Sequence, residues 1–447
     1  MLNTPRNKIG PLAHRVKQIA HVDIPGGGQV TVKNGIAYVG HLAPPHGTTI
    51  LDVKDPKRPR ILSEIRLKGN RSHSHKARLA GDDLLIVNSE MHDRHFMRKG
   101  LDMPRVVAEF EAKHKRPPGD AELAAALKAP VERLPELKDV ARTGYTDCGF
   151  RIYDVRDRTR PREIAFQQTG GIGVHRFDCD ASYAYISTEM EGFRGNILVI
   201  YDLADPAKPT EVSRWWMPGQ HTAGGEVPHW QGVRNRLHHG LRWKNEIWAA
   251  CWYGGFYIID VSDIARPKTI GHHNYHPPFP EPTHTIMRIT HHIQGRTLAI
   301  GTDEEHPHAA GQPHAFFWVF DVADYSNIKP LSTFHVVDSD SPYARSHLDE
   351  NGNYAHGAHH EVYGPGAHQF QEHLKDTLVF CTWFSAGLRI LDIGDPLAPK
   401  EVGWFLPEAA PGFSAPQSND VEVDDSGIVY LLDRNHGLDI LEFEGAR

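Results

Sequence analysis

Again and again along this chain an apolar run ends on an aspartate and passes into a proline-rich turn. The copies are "TTILDVKDPKRPR" (Asp52), "FRIYDVRDRTRPR" (Asp154), "LVIYDLADPAKPT" (Asp202), "FYIIDVSDIARPK" (Asp260), "FWVFDVADYSNIKP" (Asp321) and "LRILDIGDPLAPK" (Asp392). A seventh, degenerate copy, "LDILEFEG", lies near the last residues. Ahead of each copy stands a hairpin with its own turn signal, such as "VTVKNGIAYVG", "RFDCDASYAYIS" or "VEVDDSGIVYLL". β-Branched and aromatic residues with Asn-Gly and Asp-rich turns are the composition of strands and hairpins. Each unit thus supplies about four strands, the size of a propeller blade. One such sheet cannot cover both of its faces, so neighbouring units must stack around an axis. The expectation is an all-β single domain over residues 1–447, a seven-bladed β-propeller. The truncated last unit would borrow its outer strand from the segment near "HRVKQIAHVDIP", closing the ring.

Strands such as "FYIIDVSD" and "LRILDIGDP" resemble those of the LVIVD-repeat β-propellers. The resemblance covers nearly the whole chain except Met91 to Asp147 and implies the fold. It implies little about activity, because the repeat is scaffold and function lives in what the scaffold carries. Residues 91–147 read as two charged helices broken by "RPPGD", a mostly helical insertion. Leaving from a loop between second and third strands, the insertion rises on the same face as the histidines. There it would act as a lid over the channel or as the contact between two copies in a homo-oligomer; the bland alternative is a solvated decoration.

A chain of 447 residues, 40% of them apolar, can bury a large core. Its net charge of -7 and scattered basic residues argue against a nucleic-acid partner. The first residues lack the apolar stretch of a signal peptide, and nowhere do about 18 apolar residues run together, so a soluble, cytoplasmic protein without a membrane partner is expected. Cys148, Cys179, Cys251 and Cys381 form no CxxC pair, which fits a reducing compartment and gives no thiolate zinc site.

Histidine is the outlier, with 31 in the chain. Strand direction alternates within a blade, so the long loops fall on one face and the short turns on the other, and long loops on a rigid scaffold are where binding usually lives. Aligning the units on Ile36, Leu84, Tyr183, Ile247, Leu298, Leu378 and Ile428 places Lys76 with His75 beside it, His175 and His239 eight residues earlier, at the start of the innermost strands. The fifth and sixth units offer His284 and His359 or His360. Six residues after the same positions stand Glu90, Glu189 and Glu304.

Inner strands converge on the axis, so imidazoles from several blades could reach one metal, with carboxylates holding their distal N–H groups. A lone histidine at a strand start is more often a satisfied polar residue; five at equivalent positions favour a metal site. The ligand candidates are His75, His175, His239, His284 and His360, with the choice inside the 238/239 and 359/360 pairs left open, and Glu90, Glu189 and Glu304 as the catalytic carboxylates. Nitrogen donors favour iron or copper, with zinc as a third option. In architecture alone this is similar to the carotenoid cleavage oxygenases, which hold non-haem iron with propeller histidines. The expected function is a metal-dependent oxidoreductase acting on a small, aromatic or otherwise apolar molecule, with Arg176, Trp252 and Trp383 as substrate contacts. The alternatives are a metal-dependent hydrolase, lyase or decarboxylase on the same site, and a non-catalytic interaction platform.

Overall fold

A computed structural model describes residues 10–232, 234–306, 313–348 and 363–445. The repeated aspartate acts locally. In Asp52, Asp154, Asp202, Asp260, Asp321 and Asp392 one carboxylate oxygen accepts the backbone N–H two residues on, at 2.6–3.1 Å. This Asx-turn ends the strand and starts the proline-rich connection, so the residue that marks the repeat is the one that stops it.

The protein is all-β and propeller-like, built from antiparallel sheets. Among the described residues three sheets have four strands each, and two others have nine and eight. The two larger sheets are joined in their middles by one residue pair each, Gly173 with Glu90 and Trp252 with Thr283. On either side of those junctions the order is again that of four-stranded units. Alternate side chains of facing sheets interdigitate: one such core joins Ile86, Phe150 and Ile152 to Phe177, Ile186 and Val199, and another joins Tyr38, Ile50 and Leu85. Burial on both faces is why the strands read as near-continuous apolar runs.

The expected closure is present. Strand Val16–Val22 pairs antiparallel with Gly437–Phe443, completing the last unit from the opposite end of the sequence. An unexpected second strap, Leu12–His14, adds to the edge of Lys400–Leu406 in the unit before it.

Between strands Leu84–Met91 and Gly149–Asp154 lie three helices where the sequence pattern pointed to two: α1 (Arg94–His114), α2 (Asp120–Leu127) and α3 (Leu134–Thr143). "RPPGD" does end α1, but a further break comes at "KAP", where Lys128 takes a left-handed conformation and closes α2. Phe96, Met103, Leu123, Leu127, Leu134 and Leu137 form a small core shared by the helices. Among the described residues no helix is long and apolar enough to cross a membrane.

Candidate functional site

The ladder registers identify the equivalent positions directly. The repeat Asp or its counterpart pairs with Ile36, Leu84, Tyr183, Leu298, Leu378 and Ile428, as the alignment assumed. In the fourth unit Asp260 pairs with Glu246, one residue before Ile247. Counting eight back from Glu246 gives His238, not His239. Successive strand residues point to opposite sides, so this single step decides which imidazole reaches the mouth.

His75, His175, His238, His284 and His368 follow one another around the channel. Their ring centroids are separated by 5.0, 4.7, 4.4 and 4.2 Å in turn, and His73 lies 5.0 Å from His75. All are buried. Of the expected ligands, His75, His175 and His284 come together here; His239 does not, and His360 lies outside the described residues. His368 in "GAHQF" was missed because the described residues of its unit show no regular inner strand, but an isolated bridge from Phe370 to Cys381.

What each ring nitrogen faces fixes its proton. His238 Nδ1 lies 2.9 Å from the carbonyl oxygen of His284, and His368 Nδ1 lies 2.5 Å from that of Asn419. A carbonyl only accepts, so both Nδ1 atoms carry the hydrogen and both Nε2 atoms present lone pairs. His175 Nδ1 lies 2.9 Å from Glu90 Oε2, which also takes Arg94 Nη1 at 2.9 Å; Arg94 Nη1 stands farther, 3.1 Å, from the ring nitrogen. His175 Nε2 then faces His238 Nε2 at 2.9 Å, two lone pairs without a proton between them. His368 Nε2 has no hydrogen-bond partner among the described residues. Burial holds His175 down to about 3 against the opposing pull of Glu90, and the same cause keeps His238 and His368 well below the usual imidazole range. The rings are therefore neutral, the form that binds metal.

His75 differs. Asn88 Oδ1 accepts the Lys76 backbone N–H, so the amide nitrogen of Asn88 is the atom that faces His75 Nδ1, at 3.1 Å. Nδ1 accepts there, leaving a buried Nε2–H with no partner among the described residues. His284 is intermediate: Nδ1 reaches Thr285 Oγ1 at 2.8 Å and Nε2 receives Arg176 Nη2 at 3.2 Å.

Among the described residues two groups have donor atoms close enough to hold an ion, His238, His284 and Glu304, and His73, His75 and Glu90. The second is closed by its own hydrogen bonds, since Glu90 Oε2 already serves His73 Nε2 at 3.1 Å, His175 and Arg94. In the first, Glu304 lies 3.9 Å from both His238 Nε2 and His368 Nε2. Burial would raise the Glu304 carboxyl, but His306, His368, Arg434 and Arg176 bring it down to about 2, so it is a carboxylate. Glu189, the third expected carboxylate, turns away from the histidines to pair with Arg98 of α1.

Applying the corrected register six residues on, Trp252 stands in the fourth unit where Glu90, Glu189 and Glu304 stand in theirs, and Phe384 and Arg434 fill the position in the sixth and seventh. Trp252 lies 5.9 Å from His238 and Phe384 4.6 Å from His368, ring to ring. Trp383 is a correction: one residue from Phe384, it points the other way and is fully buried in a core with Ile300, Val319 and Phe370. Arg176 is buried below the ring, its Nε and Nη1 without partners among the described residues.

His239 belongs to a different region. Its Nε2 lies 2.8 Å from Lys76 Nζ and 3.4 Å from Glu372 Oε1, and Lys76 Nζ reaches Glu372 at 3.1 Å. Arg78 bridges Glu372 to Asp178.

The LVIVD repeat is present: its family model matches residues 181–215 and 247–274, two of the repeat units above. No curated protein sequence matches the chain. Among solved structures, one from a mitotic checkpoint complex is similar over 96% of this chain and 94% of its own, with 11% identity and a TM-score of 0.51. Sqt1 of Saccharomyces cerevisiae is 6% identical over 97% of this chain and 87% of its own, TM-score 0.47. The computationally designed Ika8 protein is 7% identical over 95% and 98%, TM-score 0.47. At these identities the likeness concerns the fold alone.

Proposed function

We propose that the chain is a seven-bladed propeller enzyme whose channel mouth holds one transition-metal ion, and that it is an oxidoreductase using iron or copper. One observation carries the reading. His175 Nε2 and His238 Nε2 stand 2.9 Å apart with both N–H groups committed elsewhere. Two lone pairs repel at that distance unless a cation lies between them, and two ligands about 2.1 Å from one ion and at right angles are about 3.0 Å apart. His368 Nε2 and the Glu304 carboxylate complete the donor set, with His284 at its edge once Arg176 releases it. Imidazole with a carboxylate suits iron, copper or zinc over magnesium or calcium. A redox-active ion in such a place supplies electron transfer to substrate or oxygen. The protein's part is to keep the imidazoles neutral, orient them through Nδ1, and exclude water. α1 sends Arg94 to Glu90 and Arg98 to Glu189, which fits a lid over the mouth better than a contact between copies. Four free cysteines, three of them buried, fit a cytoplasmic setting.

A hydrolase or lyase is the second reading, favoured by Glu304, which could serve as general base to a metal-activated water. Plasma mass spectrometry of protein purified without chelators tests both. Iron or copper near one per chain is expected in the wild type and in His239→Ala, and at least about tenfold less in His238→Ala. Stoichiometric zinc would move the assignment to the hydrolytic reading. Absence of metal after reconstitution would overturn both.

A further inference from the structure

The guanidinium of Arg236 is 6% exposed, yet its Nε has no hydrogen-bond partner and no carboxylate pairs with it among the described residues. Its recorded contact is with an indole: it stacks over Trp252 at 4.2 Å. The strand that carries it, Asn235–Trp243, also carries His238 two residues on, and both side chains face Trp252. The neighbouring cation Arg94 is itself occupied by Glu90. The neighbouring wall is aromatic. Trp252 meets His306 edge-on at 4.8 Å, Phe384 stacks on Tyr363 at 4.6 Å, and Arg434 lies over both of those rings at 4.9 and 4.7 Å.

Desolvating a guanidinium and leaving it without an acceptor is expensive, and the cost falls away only when an anion arrives. Its planar fork matches a carboxylate in two parallel N–H···O bonds, while the indole beneath it keeps the fork flat and in place. His75, whose buried Nε2–H also lacks an acceptor, offers a further donor on the same ring of residues.

We propose that the mouth binds a small organic carboxylate, its carboxyl group on Arg236 and its apolar body against Trp252 and Tyr363. This names the substrate class for the site proposed above and rests on that reading for its place in catalysis, but the binding itself needs no metal. The carboxylate end would be held beside His238, directing the remainder of the molecule over the imidazole ring. Sequence had offered Arg176, which the structure ties to His284; Arg236 was concealed in the unremarkable "VRNRLHHG".

Titration calorimetry of the full chain tests this, both as purified and after chelator treatment, with benzoate, benzyl alcohol and inorganic phosphate as probes. Benzoate is expected to bind at least about tenfold more tightly than benzyl alcohol in both metal states, because a charge-assisted fork is lost in the alcohol. Arg236→Met should erase that difference. Should that variant fail to fold by circular dichroism, Arg236→Lys keeps the charge and drops the fork, and a loss of at least about threefold is expected. The proposal is overturned if benzoate does not bind, if benzyl alcohol binds equally well, if the variants keep the preference, or if phosphate outcompetes benzoate. Benzoate preference in a chain that takes up no metal even on reconstitution would sink the metal reading alone; metal uptake without benzoate preference would sink this one alone.

Discussion

His238 and His239 are adjacent in one strand and look onto two differently finished parts of the channel. Around His238 are polar atoms without partners among the described residues: His75 Nε2, His368 Nε2, Arg236 Nε and Trp252 Nε1. Around His239 the charged groups are paired, with Lys76, Glu372, Arg78 and Asp178 each answered by another, and a single neutral oxygen of Gln29, beside Glu372, is left over among the described residues. Both regions are buried and dense in charge, so neither burial nor a displaced pKa separates a binding site from a structural one. Satisfaction does: a polar network that closes on itself specifies the fold, and one left open anticipates something that is not yet bound.

The largest expected effect breaks the closed side. Glu372→Ala strands Lys76 and Arg78 without their shared carboxylate, and removing one partner of a buried ion pair costs about 3–5 kcal/mol. Urea unfolding of the metal-free protein measures it. A loss under about 1 kcal/mol would mean that water reaches these cations and that the two regions are less different than the hydrogen bonds imply.

Arg236→Met is the counterpart on the open side and should move stability little, or raise it by about 1 kcal/mol, because it removes a buried charge that has no ion-pair partner among the described residues. The methionine keeps an apolar stem over Trp252. A loss comparable to that of Glu372→Ala would show that Arg236 already has an acceptor, and the contrast between the regions would fail at its most specific point.

How far each region was legible follows from strand geometry. The Asp-Pro turns and the β-branched and aromatic runs announced the strands, and His175 fell in the right place because its anchor, Tyr183, is the true partner of Asp202. His238 was confused with His239 because Asp260 pairs with Glu246 rather than Ile247, and no composition signal marks a one-residue slip. The inner strands also carry register breaks toward the mouth, between Asn235 and His239, Val174 and Phe177, and Thr283 and Thr285. Such irregularities re-aim side chains where function needs them, and they defeat counting. Glu189 shows the other limit: its height was right, but its partner Arg98 comes from α1, whose docking no local pattern encodes.

The smallest effect concerns pH. Where shifts are resolved among the described residues, burial depresses the channel histidines, so they add no charge to the folded state near neutrality. His21 is raised instead, chiefly by its hydrogen bond to Asp439 at 2.7 Å, with Asp23 and Asp433 assisting against its partial burial. It sits in the closing strand Val16–Val22, stacked on His436, and Gln18 shares the same Asp439 oxygen at 2.6 Å. A folded pKa above the unfolded value makes this pair's contribution full below about pH 6.5 and lost as pH rises through the folded value. Half-exposure and salt hold it to about 1 kcal/mol or less. The stability gap between wild type and His21→Gln should therefore narrow from pH 5.5 to 8. A gap that is constant across that range would place the closure in strand pairing alone and leave charge out of how the ring is shut.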